Sequence, residues 1–180
     1  YILGAIFAGG IAMQATPESP RAIVIVILVA GIVGGMLWAA ITALLRDRFN
    51  ANEILVSLML VYVAEMVLSY LVYGPWKDPA GFNFPQTVTF ANPTKVPRLF
   101  DGLRVNIGLV IALVAVAGMT VFLFRLFRGF QALVGGQASA AARYAGFSSR
   151  TALWTALLTS GGLAGLAGAL EATGPLGQLT

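Results

Sequence analysis

The 180-residue chain contains no cysteine and no histidine, and only 10% of its residues carry a charge. These absences exclude disulfides, cysteine nucleophiles, histidine bases and metal sites built on either side chain. The net charge of +4 is small and its basic residues are scattered, so we expect no binding to nucleic acid. Apolar residues make up 58% of the chain, a balance that soluble domains do not have. The composition therefore predicts a protein that lies in a lipid bilayer.

The chain also lacks the motifs of common membrane enzymes and pumps. Its lysines are Lys77 and Lys95, and neither follows a glycine, so no G-x-x-x-x-G-K-[ST] loop is present to hold ATP phosphates. No H-E-x-x-H motif occurs, and no pair of aspartates lies within an apolar run. We therefore expect no catalytic residue, no metal and no cofactor, and the energy for any transport must come from a partner protein.

Long apolar runs dominate what is present. A helix needs about twenty mostly apolar residues to cross the ~30 Å hydrocarbon core. The apolar runs predict spans at about 22–45, 54–73, 105–124 and 151–172. Residues 1–15 are too few and are expected to be part of a truncated span. The sequence predicts an all-α polytopic membrane protein, a bundle of transmembrane helices forming one domain over residues 1–180 that is incomplete at both ends.

Two polar loops predict the orientation of this bundle. Residues 74–104 hold five of the eight prolines, whereas residues 125–150 hold four arginines and no acidic residue. Basic residues favour the cytoplasmic side of a membrane, and the loops on the side of residues 125–150 hold six of them against five on the other side. We therefore expect residues 125–150 to form a cytoplasmic loop and, by alternation of the spans, residues 74–104 to form an external loop.

The stretch GGQASAAARYAGF, residues 135–147, is polar enough to lie in water although it falls between two apolar spans. Its alanines favour a short helix. Gly135 and Gly136 are predicted to form a hinge before that helix, and Gly146 a left-handed cap after it. The small alanine face and the charge of Arg143 and Arg150 indicate a helix that docks into a groove of another protein.

This stretch resembles the coupling helix of the permease subunits of bacterial ABC importers for simple sugars, nucleosides and branched-chain amino acids. Three further segments resemble the same family in the same order: LRDRFNANEILVSLML at 45–60, YGPWKDPAGFNFPQT at 73–87 and SGGLAGLAGALE at 160–171. The GPWKDP and NFPQ segments are most similar to the nucleoside-type branch. The resemblance implies that the chain is a fragment of a larger permease.

The resemblance also implies partners and a coupling surface. The partners are an ATP-binding subunit, a second permease subunit in a homodimer or heterodimer, an extracytoplasmic substrate-binding protein and the lipid bilayer. The residues expected to contact the ATPase subunit lie in or beside the short helix. They are Gly136, Ala138, Ala141, Ala142, Arg143, Tyr144, Ala145 and Gly146.

Glu65 is the one ionisable residue in the middle of a predicted span. A carboxylate there must face a partner, a cavity or water, or else be protonated. Helical spacing places Tyr62, Glu65 and Ser69 on one face. This face is a candidate for the substrate pathway, where it could hydrogen bond a sugar or a base. The alternative is a hydrogen bond between helices that fixes their packing.

Glycines form small-residue faces in two of the predicted spans. Gly31, Gly34 and Gly35 lie in one, and Gly161, Gly162, Gly165 and Gly168 lie in the other. Such faces let helix backbones approach closely, which is the packing interpretation. The resemblance places residues 161–168 near the translocation path, where a helix is expected to be broken. Gly161 and Gly165 are therefore also candidate pathway residues.

The sequence as a whole favours the transmembrane subunit of an ABC-type importer in the cytoplasmic membrane of a bacterium. It would move a nucleoside or a simple sugar inward, driven by a separate ATPase subunit. The alternative is an ion-coupled secondary transporter of a small polar solute, which needs coupling acids near the midplane. Glu65 is the sole support for it. A membrane enzyme is the third possibility, and the missing catalytic residues argue against it.

Overall fold

A computed structural model of the chain describes residues 1–16, 18, 20–79, 86–97 and 106–179. The middle of the predicted external loop, residues 80–85, and the stretch 98–105 lie outside the described residues. The side chain of Ser139 is also outside the described part of the chain. Within the described ranges the structure has no strand, and Lys77 and Thr87 form an isolated bridge.

Helices account for most of the described chain. They are α1 (Ile2–Gln14), α2 (Ile23–Phe49), α3 (Glu53–Tyr73), α4 (Gly108–Arg125), α5 (Phe127–Gln137), α6 (Ser139–Tyr144) and α7 (Ser149–Glu171). A 3₁₀ turn covers Asn92–Thr94, and a π-helical turn, Ala172–Leu176, continues α7.

Four of these helices are long and apolar enough to cross a membrane: α2, α3, α4 and α7 with its π-helical continuation. The first helix, α1, is apolar but shorter. The prediction of an all-α polytopic membrane protein is confirmed. The charged residues Arg46, Asp47 and Arg48, which follow the apolar run 22–45, do not end the helix, which continues to Phe49. Cations such as Arg46 and Arg48 are favourable at a helix C-terminus because they face its negative dipole end.

The corner between α2 and α3 is tightly defined by its sequence. Asn50 adopts the left-handed conformation with φ +49°, and the N–H of Ala51 donates to the carbonyl of Leu45 at 3.3 Å. The side chain of Asn52 accepts a hydrogen bond from the N–H of Ile54 at 3.0 Å, which caps α3 as its position predicts. The end of α2 and the start of α3, which we predict to face the cytoplasm, are therefore held in a fixed geometry.

The core of the molecule lies where α1, α2 and α7 meet. Ile27 of α2 and Ala169 of α7 are fully buried there, together with Ala8 and Ala12 of α1. The third helix, α3, packs against this core along one line, on which Ala64 and Val72 are buried. The fourth, α4, buries only Gly108 among the residues that the structure describes.

Candidate functional site

The helices α5, α6 and α7 follow one another with short breaks, and together they hold the segment predicted to dock on another protein. The chain leaves α4 at Leu126 and enters α5, which lies tight against α4 because Gly129 has no side chain. A Cβ there would lie 2.6 Å from the Cα of Leu123. The next break falls at Ala138, with φ −144° and ψ 77°.

The hinge predicted at Gly135 and Gly136 is wrong. Both glycines lie within α5, and the N–H of Ala138 still donates to the carbonyl of Val134 at 2.9 Å, as in a continuous helix. Glycine permits a hinge but does not require one, because the helical conformation remains open to it. The break occurs just after them, at Ala138.

The short helix α6 is closed by hydrogen bonds at its C-terminal end. The N–H of Gly146 donates to the carbonyl of Arg143 at 3.0 Å, and that of Phe147 donates to the carbonyl of Ala142 at 2.9 Å. Gly146 has φ +76°, the left-handed conformation that the sequence predicted. Such closure allows a helix of this length to keep its shape and to present a fixed surface.

The two faces of α6 differ in burial. Ala142 is only 4% exposed and faces a cavity of about 370 Å³ between α5 and the start of α7. Tyr144, by contrast, is 95% exposed. Ala142 therefore holds α6 to its own chain and is not on the outward surface. The other predicted coupling residues are all exposed: Gly136, Ala138, Ala141, Arg143, Tyr144, Ala145 and Gly146.

An aromatic contact that the sequence analysis missed fixes α6 against α5. The ring of Phe147 meets the ring of Phe127 edge to face at a centroid distance of 5.9 Å, and that of Phe130 at 6.3 Å. Edge-to-face pairs at these distances are favourable. The signal was available, because an apolar residue that follows a left-handed cap commonly packs back onto a neighbouring surface.

A polar cluster at the start of α7 was also missed. The carboxylate of Asp47, in the last turn of α2, accepts from Arg150 Nη2 at 2.7 Å and from Trp154 Nε1 at 3.3 Å. Its side chain is only 11% exposed, whereas that of Arg150 is 67% exposed. Arg150 and Trp154 are one helical turn apart and so lie on one face. That spacing was the signal in the sequence, but nothing in the sequence pointed to Asp47 as the partner.

A second ion pair lies at the same corner but does not involve α7. Arg46 Nε lies 3.4 Å from the carboxylate of Glu53, and Arg46 Nη1 donates to the carbonyl of Ala51 at 3.2 Å. Both partners are well exposed, so this pair contributes little to stability. It joins α2 to α3, whereas Asp47 joins α2 to α7.

The predicted polar face of α3 lies away from the helix's own packing line. Tyr62, Glu65 and Ser69 are all exposed. No hydrogen-bond or ion-pair partner of Glu65 is found among the residues that the structure describes. The alternative, a hydrogen bond between helices of this chain, therefore has no support within the described ranges. The role of the face in a pathway stays a prediction.

The structure places Gly161 and Gly165 between α7 and α2, as the packing interpretation expects. A Cβ on Gly161 would lie 2.8 Å from the carbonyl oxygen of Gly35, and one on Gly165 would lie 2.9 Å from the Cα of Gly35. The expected helix break at 161–168 is wrong, since α7 is continuous from Ser149 to Glu171. The irregularity comes later, in the π-helical turn that contains Pro175, because proline cannot donate the helix hydrogen bond.

Comparison with known proteins places these features in context. Residues 1–178 match the family described as branched-chain amino acid transport system / permease component. The chain is 33% identical to a glucose ABC transporter permease protein of Haloferax volcanii, over 98% of the chain and 49% of that protein. It is 30% identical to a guanosine ABC transporter permease protein of Bacillus subtilis, over 82% of the chain and 42% of that protein.

A nucleoside ABC transporter permease protein of Lactococcus lactis is 25% identical, over 88% of the chain and 46% of that protein. The chain thus spans about half the length of the curated relatives that it matches. No solved structure gives a significant match.

Proposed function

The chain belongs to the family of permease components of branched-chain amino acid transport systems, and we propose that it acts as the membrane-spanning subunit of an ABC-type importer. It is a multi-pass protein of the cytoplasmic membrane. The single observation that carries the proposal is α6, a short helix closed at its end and held to its own chain by Ala142, with an exposed outward face of small alanines, the basic Arg143 and the ring of Tyr144.

This outward face suits a helix that enters a groove of an ATPase subunit. Ala140 and Ala141 keep it thin, and Arg143 gives it positive charge without a nearby acid in residues 125–150. Because the sequence has no phosphate-binding loop, the energy of ATP hydrolysis must enter through a second protein. ATP binding in that subunit would displace α6 and so change the access of the pathway.

The orientation follows from the same assignment. If α6 contacts a cytoplasmic ATPase, then the α2–α3 corner is cytoplasmic as well. Residues 74–104 then lie outside, where a substrate-binding protein delivers its substrate. A single cysteine in place of Val88 should react with a membrane-impermeant thiol reagent in intact cells. A cysteine in place of Tyr144 should react only after lysis. The reverse pattern contradicts the orientation.

A nucleoside or a simple sugar is the proposed substrate. The three relatives are named as permease proteins for glucose, for guanosine and for nucleosides, and these names support the choice. Both substrate classes offer hydroxyl groups, and the exposed face of Tyr62, Glu65 and Ser69 offers hydrogen-bonding groups to match. A second permease subunit, identical or related, would complete the pathway.

The experiment that tests the function is a substitution on the outward face of α6. Ala141→Arg widens and recharges this face while its side chain extends away from the chain's own core. We expect loss of transport and loss of substrate-stimulated ATP hydrolysis, with membrane insertion and thermal stability unchanged. Ala141→Ser, which keeps the face thin and uncharged, is the matched control and should transport normally. Wild-type uptake by Ala141→Arg contradicts the proposal.

A further inference from the structure

The contact of Asp47 ties two helices together at the end of the bundle where α6 joins α7. Its nearly buried carboxylate accepts from two α7 side chains that are one turn apart, Arg150 and Trp154. Two donors from one helix restrict both the position and the rotation of that helix. The start of α7, immediately after α6 and its cap, is thereby held to the end of α2.

The same two helices are in backbone contact further along. Gly31 and Gly35 of α2 face Gly161 and Gly165 of α7, and a single added methyl group at these positions would meet backbone atoms. A Cβ on Gly35, for example, would lie 2.7 Å from the Cα of Gly165. Surfaces packed this closely have discrete arrangements and do not slide continuously. Over this length α2 and α7 therefore behave as one body.

At the other end of α7, the residues that follow the helix are hydrogen bonded to residues 86–97. The N–H of Val96 donates to the carbonyl of Thr173 at 3.1 Å, and that of Phe90 donates to the carbonyl of Gly177 at 2.8 Å. Thr87 and Leu179 exchange two hydrogen bonds: the Thr87 N–H donates to the carbonyl of Leu179 at 3.0 Å, and the Leu179 N–H donates to Thr87 Oγ1 at 2.9 Å.

Several side chains seal this attachment. Thr87 and Thr173 are fully buried, and Phe90 and Val96 are nearly so. Residues 86–97 are therefore fixed to the residues that follow α7. Since α7 spans 23 residues, about 35 Å at 1.5 Å per residue, this attachment lies at the opposite end of the bundle from α6.

We infer that Asp47 locks the start of α7 to α2, so that the two helices carry a displacement of α6 as one body to residues 86–97 at the opposite end of the bundle. The inference rests on the proposed function, which supplies the partner that displaces α6. Asp47 is a positioning residue in this scheme, because its contacts are with Arg150 and Trp154 and it acts through α7.

The charges around Asp47 allow it to be tested without unfolding the protein. Arg150 is 67% exposed, so it returns to water when its partner is neutralised. Arg46 is engaged by Glu53 and by the Ala51 carbonyl. Asp47→Asn keeps the size of the side chain and leaves the glycine contacts in place. We expect it to loosen the joint while the rest of the α2–α7 pair stays packed.

The test uses the permease reconstituted in liposomes with its ATPase subunit and its binding protein. An environment-sensitive fluorophore is attached to a single cysteine replacing Val88, which is 47% exposed. The fluorescence change on addition of ATP is measured together with the number of substrate molecules moved per ATP hydrolysed. In the wild-type background the fluorophore should respond to ATP. In Asp47→Asn, both the response and the transport per ATP should fall about fivefold or more.

Two further variants make the outcome specific. Glu53→Gln removes the neighbouring ion pair, which does not reach α7, and should behave as wild type. Arg150→Gln breaks the same contact from its solvent-exposed side and should reproduce the loss, so that poor folding of Asp47→Asn does not decide the result. The double variant should be no worse than either single one, because all act on one contact.

Three results overturn the inference. In the first, Asp47→Asn and Arg150→Gln retain the ATP response at Val88 and wild-type transport per ATP. In the second, transport and ATP hydrolysis fall together in both variants, so that their ratio is unchanged, which indicates a structural role alone. In the third, the wild-type protein shows no ATP-driven uptake, which overturns the proposed function and the inference with it and is recognised before any variant is made.

Discussion

The helices α2 and α7 differ from α3 and α4 in how they are packed, although all four are apolar enough to span a membrane. In the most apolar stretches of α2 and α7, 22% of the residues are buried, against 6% in α3 and α4. The difference lies in glycine. Gly31 and Gly35 meet Gly161 and Gly165 at backbone distance, whereas a Cβ on Gly118 of α4 would meet nothing within 4 Å.

Apolar length and helix contact are therefore separate properties of this sequence. Hydropathy identifies which segments enter the bilayer, because it measures transfer from water to hydrocarbon. It does not identify which helices touch, because lipid tails are as apolar as the helices themselves. Contact depends on small residues spaced to lie on one face, and α2 and α7 have them on matching faces.

The largest effect that this comparison predicts is for Gly165→Ala. The added methyl group would overlap the backbone of α2 at Gly31 and Gly35, and overpacking costs about 3 kcal/mol or more where the backbone cannot yield. We expect a large loss of thermal stability in detergent. Gly118→Ala adds the same group to α4 and should be neutral or slightly stabilising. An equal loss of thermal stability in both variants contradicts the difference in packing between α7 and α4.

A smaller effect is expected from Glu65→Gln on the exposed face of α3. If the carboxylate contacts substrate, neutralising it removes a charged hydrogen bond of about 1.5 kcal/mol, which is about a tenfold rise in the apparent KM for uptake. Thermal stability should not change, since no partner of Glu65 lies among the described residues. Glu65→Leu, the control for packing, should be equally stable. Wild-type uptake by Glu65→Gln contradicts a contact between this carboxylate and the substrate.

The smallest effect is expected for Trp154→Phe, which removes the indole N–H that donates to Asp47 while keeping most of the aromatic volume. This hydrogen bond is long, at 3.3 Å, and Arg150 still pairs with the carboxylate when the indole is removed, so its loss should cost only about 1 kcal/mol. The matched control is Tyr70→Phe, which removes a hydroxyl from an exposed side chain of α3 and should have no measurable effect. The free energies of unfolding of the two variants are compared by denaturation. The transition is followed by the circular dichroism of the backbone, a signal that does not depend on tryptophan. A greater loss at Tyr70 contradicts the distinction between the helix pairs.

Features determined within a few residues were predictable from the sequence. The left-handed Gly146 was predicted from backbone sterics and is confirmed, and the N-cap at Asn52 likewise depends only on local hydrogen bonding. The glycine faces were also visible in the sequence. The structure supports their packing role, whereas the break that the resemblance suggested within residues 161–168 is absent.

Features that join distant parts of the chain were not predictable. Asp47 and Arg150 are far apart in the sequence, and a charge at a helix end has many possible partners until the packing is known. The same is true of the attachment of residues 86–97 beyond α7, which consists largely of backbone hydrogen bonds and therefore leaves no side-chain pattern. The inward position of Ala142 depends on how α6 rotates, which its neighbouring alanines do not determine.

The central claim is that the outward face of α6 contacts an ATPase subunit, and site-specific cross-linking tests it most directly. The chain has no cysteine of its own, so a single cysteine replacing Tyr144 can carry a thiol-linked photo-cross-linker in native membranes. We expect a cross-linked product that contains the ATPase subunit, and none from a cysteine replacing Val88. A complex that stays intact but cross-links the ATPase subunit from Val88 and not from Tyr144 would contradict the account.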